Sequence, residues 1–387
     1  MRLVDLADAG PECGGKAYAL GRLVRAGVDV PEGVVALGEV DALALREVLA
    51  RLGEPLAVRS SGLHEDSASA SFAGQLETVL GVAGTEAVAE AVERCARSGG
   101  TDRARAYARR LGRTTETRVP VIVQRLVAAQ VAGVAFTREP TTGADAVVIE
   151  AARGLGESVV GGTVVPDRYT VSGGSGIGGV EVRVGSKATR VDLGPDGLRR
   201  SAVGYADRRR PSLTDAMAAE VAEAARHVEA VLGHAVDVEW AVEGDRLWVL
   251  QARPITTSAF SRSRRSGHDT GRVLVSGTGS SSGTVGGTAR VVRGVDEFGR
   301  IGPGDILVCR TTDPAWTPLF GIVAAVVTET GGLLSHASIV AREAGIPAVV
   351  GAVGALSRIG DGEAVVVDGA RGTVAAPARL SEHRRGE

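Results

Sequence analysis

From Lys16 to Val30, "KAYALGRLVRAGVDV" repeats apolar residues at helical spacing, which predicts a helix opening just after Gly14-Gly15. The short apolar runs "VPEGVV" and "EPLAVRSSG" follow as strands, the second ending in Arg59-Ser60-Ser61. A small-residue loop within "HEDSASASFAGQLETVLGV" leads to a further strand, and residues 85–111 carry the pattern of a second helix. "VPVIVQRLV", "AGVAFTRE" and "ADAVVIEAARGLGESVVGG" then alternate strands with turns, and residues 166–205 are rich in strands and glycine. Leu213 to Leu232 forms the clearest helical pattern in the chain. After it, "AVDVEWAVEGDRLWVLQARPIT" reads as a hairpin turning at Glu243-Gly244-Asp245.

The pattern breaks at Ser258–Gly271, a polar, charged and aperiodic stretch that marks a linker between a domain over 1–257 and one over 272–378, with 379–387 as a tail. Its fourteen residues have a root-mean-square span of about 20 Å and a limit of about 45–50 Å when extended. Beyond the linker, short apolar strands and Gly turns repeat around one predicted helix at Ala337–Glu343. The fold class expected is α/β: a larger α+β domain followed by a small α/β module.

Composition narrows the function. At 387 residues the chain has room for two or three domains, and 44% apolar with 23% charged residues is the balance of a soluble globular protein. No apolar run approaches the roughly 20 residues that span a bilayer, and the start lacks the apolar core of a secretory signal, so no membrane and a cytoplasmic location are expected. Cys13, Cys95 and Cys309 are too scattered for a disulfide framework or a zinc site. A net charge of −2 argues against a nucleic-acid partner. Of the 44 basic residues only Lys16 and Lys187 are lysines, so each is a candidate for a task that a compact ammonium performs and a planar guanidinium does not.

Several polar residues sit at predicted strand ends or in Gly/Ser-rich turns: Lys16, Arg59, the loop Ser67–Gly74, Gln124, Asp237, Glu239, Gln251 and Arg253. Together they form a set suited to a nucleoside triphosphate. Lys16 and Arg59 can neutralise phosphate oxygens, and a loop of small residues lets backbone N–H groups approach them. In the hairpin, Asp237 and Glu239 share one face, as do Gln251 and Arg253, an oxygen-rich arrangement suited to Mg²⁺. On pattern alone a solvent-facing strand pair with ordinary salt bridges fits equally well. No G-x-x-x-x-G-K-[ST] run is present, so phosphate is not held by a P-loop.

In "VTETGGLLSHASIVAREAGIPAVVG", His336 follows a strand and a Gly-Gly turn at the start of a short helix, where free N–H groups favour an anion. Thr330 and Ser335 are candidate additional donors to a phosphoryl group there. A lone histidine beside an apolar strand is ordinarily a packed or capped residue, and that reading is the default for His227, His234, His268 and His383, whereas His64 lies in the phosphate loop.

"GGKAYALGRLVRAGVDVPEGVV", "AVRSSGLHEDSASASFAGQLETVLGV", "VIVQRLV", "GLGESVVGGTVVPDRYTV" and "DVEWAVEGDRLWVLQARPIT" resemble, in order, the ATP-grasp domain of the phosphoenolpyruvate synthase, pyruvate phosphate dikinase and rifampin phosphotransferase superfamily. "TTDPAWTPLF" and the His336 stretch resemble that superfamily's swivelling phosphohistidine domain. The resemblance implies that Lys16 and Arg59 grip phosphates, that Ser69, Ala70, Ser71, Phe72, Ala73 and Gly74 form a phosphate lid, and that Gln124 lies near the adenine. It further implies that Glu239 and Gln251 hold Mg²⁺, with Asp237 as a helper, and that Arg253 flanks the transferring phosphates. His336 then carries a phosphoryl group from ATP to an acceptor, with release of AMP.

The superfamily's acceptor domain has no counterpart in these 387 residues, so the acceptor is expected to be a small molecule or to reside on a separate subunit; a regulatory phosphohistidine carrier is the third reading. If the histidine module must shuttle, shortening Ser258–Gly271 is expected to spare ATP binding, measured by calorimetry, and to abolish turnover at the acceptor. Unchanged turnover would refute a shuttle.

Overall fold

The computed structural model describes residues 2–39, 42–62, 76–101, 118–172, 179–194, 197–255 and 270–378. The chain divides into two compact units, Met1–Val160 with Pro166–Thr257, and Gly161–Val165 with Ser258–Glu387. The linker over 258–269, the tail over 379–387 and the lid Ser69–Gly74 lie outside the described residues, as do His64, His268 and His383.

Two sheets build the first unit. Strands β1 (Arg2–Asp5), β2 (Gly33–Leu37), β3 (Leu56–Ser60), β4 (Thr78–Val82) and β5 (Val121–Arg125) pair in the order β1-β2-β5-β3-β4. A second sheet runs β13-β12-β6-β7-β8-β9, formed by β6 (Val131–Phe136), β7 (Ala146–Arg153), β8 (Asp167–Ser172), β9 (Val180–Arg183), β12 (Val236–Glu243) and β13 (Arg246–Pro254). A separate hairpin joins β10 (Thr189–Gly194) to β11 (Gly197–Ala202).

Helix α1 (Gly15–Arg25) stops short of the predicted Val30 because the chain reverses at Gly27: the N–H of Gly27 donates to Val24 and that of Val28 to Leu23, which satisfies the last carbonyls of the helix. Helices α2 (Ala42–Leu52) and α3 (Thr85–Arg97) pack on the first sheet, with Leu45, Val48, Val88 and Val92 against Leu56 and Val58. Of the helix predicted over 85–111, residues 102–111 lie outside the described residues. The alanine-rich pattern folds as α4 (Asp215–Leu232), started by Thr214, whose Oγ1 accepts from the Met217 N–H at 3.2 Å. Its stripe of Ala218, Val221, Ala225 and Val228 shares one core with Leu20 and Leu23 of α1 and with Val236, Val238 and Trp240 of β12. Alternation along β12 therefore turns Asp237 and Glu239 to the opposite face of the sheet.

Lys187 has a structural role. Its ammonium is fully buried, donates to Asp167 Oδ1, and completes its three bonds on the carbonyls of Gly185 at 3.1 Å and Arg208 at 3.0 Å. Asp167 also accepts from Gly185 N at 2.8 Å and from Ser212 N and Oγ, each at 2.7 Å. Three tetrahedral donors on three oxygens suit an ammonium and not a planar fork.

In the second unit, eight strands run β14-β21-β20-β16-β17-β18-β19-β15. They are β14 (Thr270–Ser276), β15 (Thr278–Ser281), β16 (Thr284–Val291), β17 (Ile306–Cys309), β18 (Ala325–Thr328), β19 (Ala348–Val350), β20 (Ala364–Asp368) and β21 (Thr373–Pro377). The two end strands, β14 and β15, are consecutive in the chain and meet at Gly277, so one bent segment borders both edges. A Cβ at Gly277 would lie 2.4 Å from the Val350 carbonyl oxygen, which leaves room only for glycine. Strands β16 to β19 are parallel, and α5 (His336–Ala344) crosses from β18 to β19, burying Ala337, Val340 and Ala341 against Leu307, Val326 and Phe320.

Replacing Lys187 with Met strands the buried Asp167 carboxylate. Urea unfolding of Lys187→Met is expected to show a loss of about 3–5 kcal/mol, and Lys187→Met/Asp167→Asn a smaller loss than Lys187→Met alone.

Candidate functional site

In the first unit the site begins where α1 meets the end of β3. Gly14, at φ 85°, lies so close to Ser61 that an added Cβ would sit 1.7 Å from its carbonyl oxygen. The Gly15 N–H donates to the Gly62 carbonyl at 3.0 Å, and the Ala17 N–H to Ser61 Oγ at 3.0 Å. These bonds fasten the first turn of α1, with buried Lys16, to the strand that carries Arg59.

Arg59 links the two sheets of this unit. Its Nη2 donates to Glu239 Oε2 at 3.1 Å and to Gln251 Oε1, and its Nη1 donates to the Leu250 carbonyl at 2.8 Å. Strand register explains the third bond. Glu239 pairs with Gln251 but Trp240 pairs with Val249, so Leu250 is an extra residue in β13. Such a bulge interrupts the ladder locally, and the Leu250 carbonyl is taken by the guanidinium. The Arg59 Nε is buried with no hydrogen-bond partner among the described residues, a donor suited to an anion.

Next along the hairpin, Asp237 pairs with Arg253, whose Nε donates to both carboxylate oxygens at 2.8 and 3.0 Å. The predicted shared face of Asp237, Glu239, Gln251 and Arg253 is thus present, and the turn narrows to Gly244-Asp245 between the paired Glu243 and Arg246. Gln124 is buried on β5 and donates through Nε2 to the Pro31 carbonyl at 2.7 Å. Glu150 is a carboxylate that sequence reasoning missed: it pairs with Val134, which pairs with Glu239, so all three lie in one row on one face. Its signal was a single charge inside the apolar run "AVVIEAA".

Glu239 Oε2 and Gln251 Oε1 converge on one nitrogen of Arg59, so two oxygen donors already enclose a cationic group. That donor set fits a hard cation such as Mg²⁺.

In the second unit His336 is the first residue of α5, beyond the carboxyl end of β18. Thr312 Oγ1 lies 2.8 Å from its Nδ1 and Thr317 Oγ1 3.1 Å from its Nε2. Phe320 meets the ring edge to face, with centroids 5.8 Å apart and planes at 87°. The hydroxyls named as candidate donors to a phosphoryl group have backbone partners here: Ser335 Oγ donates to the Gly332 carbonyl at 2.8 Å, and Thr330 Oγ1 lies 2.8 Å from the Gly162 carbonyl. Both threonines that do reach the ring belong to "TTDPAWTPLF", where the pair of hydroxyl residues flanking Asp-Pro was the available signal.

Residues 39–270 match the family described as "Pyruvate phosphate dikinase, AMP/ATP-binding domain", and residues 301–372 match "PEP-utilising enzyme, mobile domain". The chain belongs to the pyruvate phosphate dikinase family. Arg59, Asp237, Glu239, Gln251 and Arg253 fall within its ATP-binding region and His336 within its mobile domain, whereas Lys16 precedes the matched region.

The chain is similar to the phosphoenolpyruvate synthase of Aeropyrum pernix, 34% identical over 98% of this chain and 58% of that protein. It is 38% identical to the phosphoenolpyruvate synthases of Pseudomonas aeruginosa, over 82% of this chain and 42% of the relative, and of Escherichia coli, over 85% and 44%. The chain therefore spans between 42% and 58% of the length of these family members. No helix among the described residues is long and apolar enough to cross a membrane.

Substituting Arg59 removes both its charge and its bonds to Glu239 and Gln251. Arg59→Ala is expected to weaken ATP binding by roughly 10- to 150-fold, read by titration calorimetry, the loss typical of charge-assisted hydrogen bonds.

Proposed function

We propose that the chain is a dikinase-type phosphotransferase that moves a phosphoryl group from ATP through His336 to a small-molecule acceptor and releases AMP. The observation that carries this reading is the histidine at the first position of α5, within the stretch that matches the mobile domain, in the same chain as an ATP-binding domain. The similarity to phosphoenolpyruvate synthases supports a small organic acid as the acceptor class.

In this reading a ring nitrogen of His336 attacks the β-phosphorus of ATP and AMP leaves. The γ-phosphoryl group passes to water or phosphate, and the phosphoryl group remaining on His336 passes to the acceptor. Neutral imidazole is nucleophilic near pH 7, and the amide groups opening α5 favour the negative charge it acquires. Lys16, Arg59 and Arg253 neutralise the triphosphate. Glu239 and Gln251 would hold Mg²⁺, with Asp237 orienting Arg253. When bound, Mg²⁺ would supply charge neutralisation at the phosphates. Gln124 near the adenine and Ser69–Gly74 over the phosphates complete the proposed nucleotide site.

Incubation with Mg²⁺ and ATP labelled at the β-phosphate is expected to leave acid-labile label on the protein, to produce AMP, and to leave no label on His336→Ala. Production of ADP in place of AMP, or label persisting in His336→Ala, would refute the relay. Stimulation of AMP release by a second protein and by no small molecule would place the acceptor on a separate subunit.

A further inference from the structure

The hydrogen count around His336 assigns its tautomer. A threonine hydroxyl has one proton, and Thr317 Oγ1 donates it to the Pro314 carbonyl at 2.9 Å, three residues back in the turn Pro314–Gly321. Toward His336 Nε2, 3.1 Å away, Thr317 is thus left as an acceptor, and Nε2 must carry the ring proton. Nδ1 then holds the lone pair and receives the Thr312 hydroxyl proton at 2.8 Å. The result is one directed chain, Thr312 to His336 to Thr317 to Pro314, in which each link polarises the next. The opposite tautomer needs two changes. Thr317 must leave Pro314, and the Thr312 proton, on a buried side chain with no other hydrogen bond found among the described residues, loses its acceptor. Turning the ring over would place carbon atoms against both hydroxyls, so the ring orientation agrees with the same chain.

We propose that Thr317 is a positioning residue that holds resting His336 as the Nε2–H tautomer, with Thr312 occupying the Nδ1 lone pair. Both nitrogens are engaged in this state. The ring becomes a nucleophile when the Thr312 hydroxyl turns away and frees Nδ1, or when the Nε2 proton leaves to solvent and another is taken up at Nδ1. The consequence for phosphoryl transfer rests on the relay proposed above; the tautomer itself does not.

Nitrogen NMR of the full chain labelled with ¹⁵N-histidine, with His336 assigned by comparison with His336→Ala, tests the assignment. At a pH where the ring is neutral, the unsubstituted protein is expected to show a protonated Nε2 and an unprotonated Nδ1. Thr317→Val is expected to shift the tautomer ratio toward Nδ1–H by about 2- to 12-fold, the effect of losing one neutral hydrogen bond, and Thr317→Ser to restore it. Thr312→Val keeps the Thr317 acceptor and is expected to remain Nε2–H. A protonated Nδ1 in the unsubstituted protein, or an unaltered ratio in folded Thr317→Val, overturns the proposal. Should Thr317→Val fail to fold, the unsubstituted protein, Thr317→Ser and Thr312→Val still decide it, since Nδ1–H in any of them refutes the chain. Absence of β-phosphate label with the tautomer as stated would remove the relay and leave this assignment intact.

Discussion

The first unit is organised around one guanidinium. Arg59, on a strand of the five-stranded sheet, is bound to Glu239, Gln251 and the Leu250 carbonyl of the six-stranded sheet. Two carbonyl-type oxygens and a carboxylate on one planar fork give a contact that is directional at every bond. The rest of the candidate nucleotide site follows from it. The β13 bulge frees the Leu250 carbonyl for Arg59, the Ser61–Gly14 approach sets Lys16 beside the strand that carries Arg59, and Arg253 is paired with its own carboxylate, Asp237. In the proposed reading, the Glu239 and Gln251 oxygens that bind Arg59 are also those that would take Mg²⁺.

The second unit follows a different principle. Its histidine lies beyond the carboxyl ends of parallel strands, where the loops after β17 and β18 converge, and its surroundings are neutral hydroxyls and an aromatic edge. A hydroxyl at each ring nitrogen fixes the orientation of the imidazole through directional bonds. The two candidate sites therefore differ in chemistry: guanidinium and carboxylate groups in the first unit, hydroxyls about an imidazole in the second.

Much of this was legible in the sequence because it is local. Helical spacing marked α1 and α4, and strict alternation put Asp237 with Glu239 and Gln251 with Arg253 on one hairpin face. The quoted stretches, in their order along the chain, also carried the resemblance to the family that the chain matches. What the reading missed depended on contacts between separate segments. Thr330 and Ser335 are the hydroxyl residues nearest His336 on its N-terminal side, yet Thr312 and Thr317, from the loop after β17, reach the ring because β17 and β18 are neighbouring parallel strands. Lys187 looked as chemically pointed as Lys16, and only its burial with Asp167 shows it to be a structural tie.

By itself the sequence determined the periodic elements, the hairpin face, the family and the chemical types available at the site, since each depends on residues within a few positions of one another or on a motif's order. Tertiary structure alone decided which oxygens Arg59 meets, where β13 bulges, and which hydroxyls bracket His336. Those are matters of strand register and of contacts between separate segments, from Thr317 with His336 in one unit to Arg59 with Glu239 in the other, and no local pattern encodes a register that depends on the partner strand.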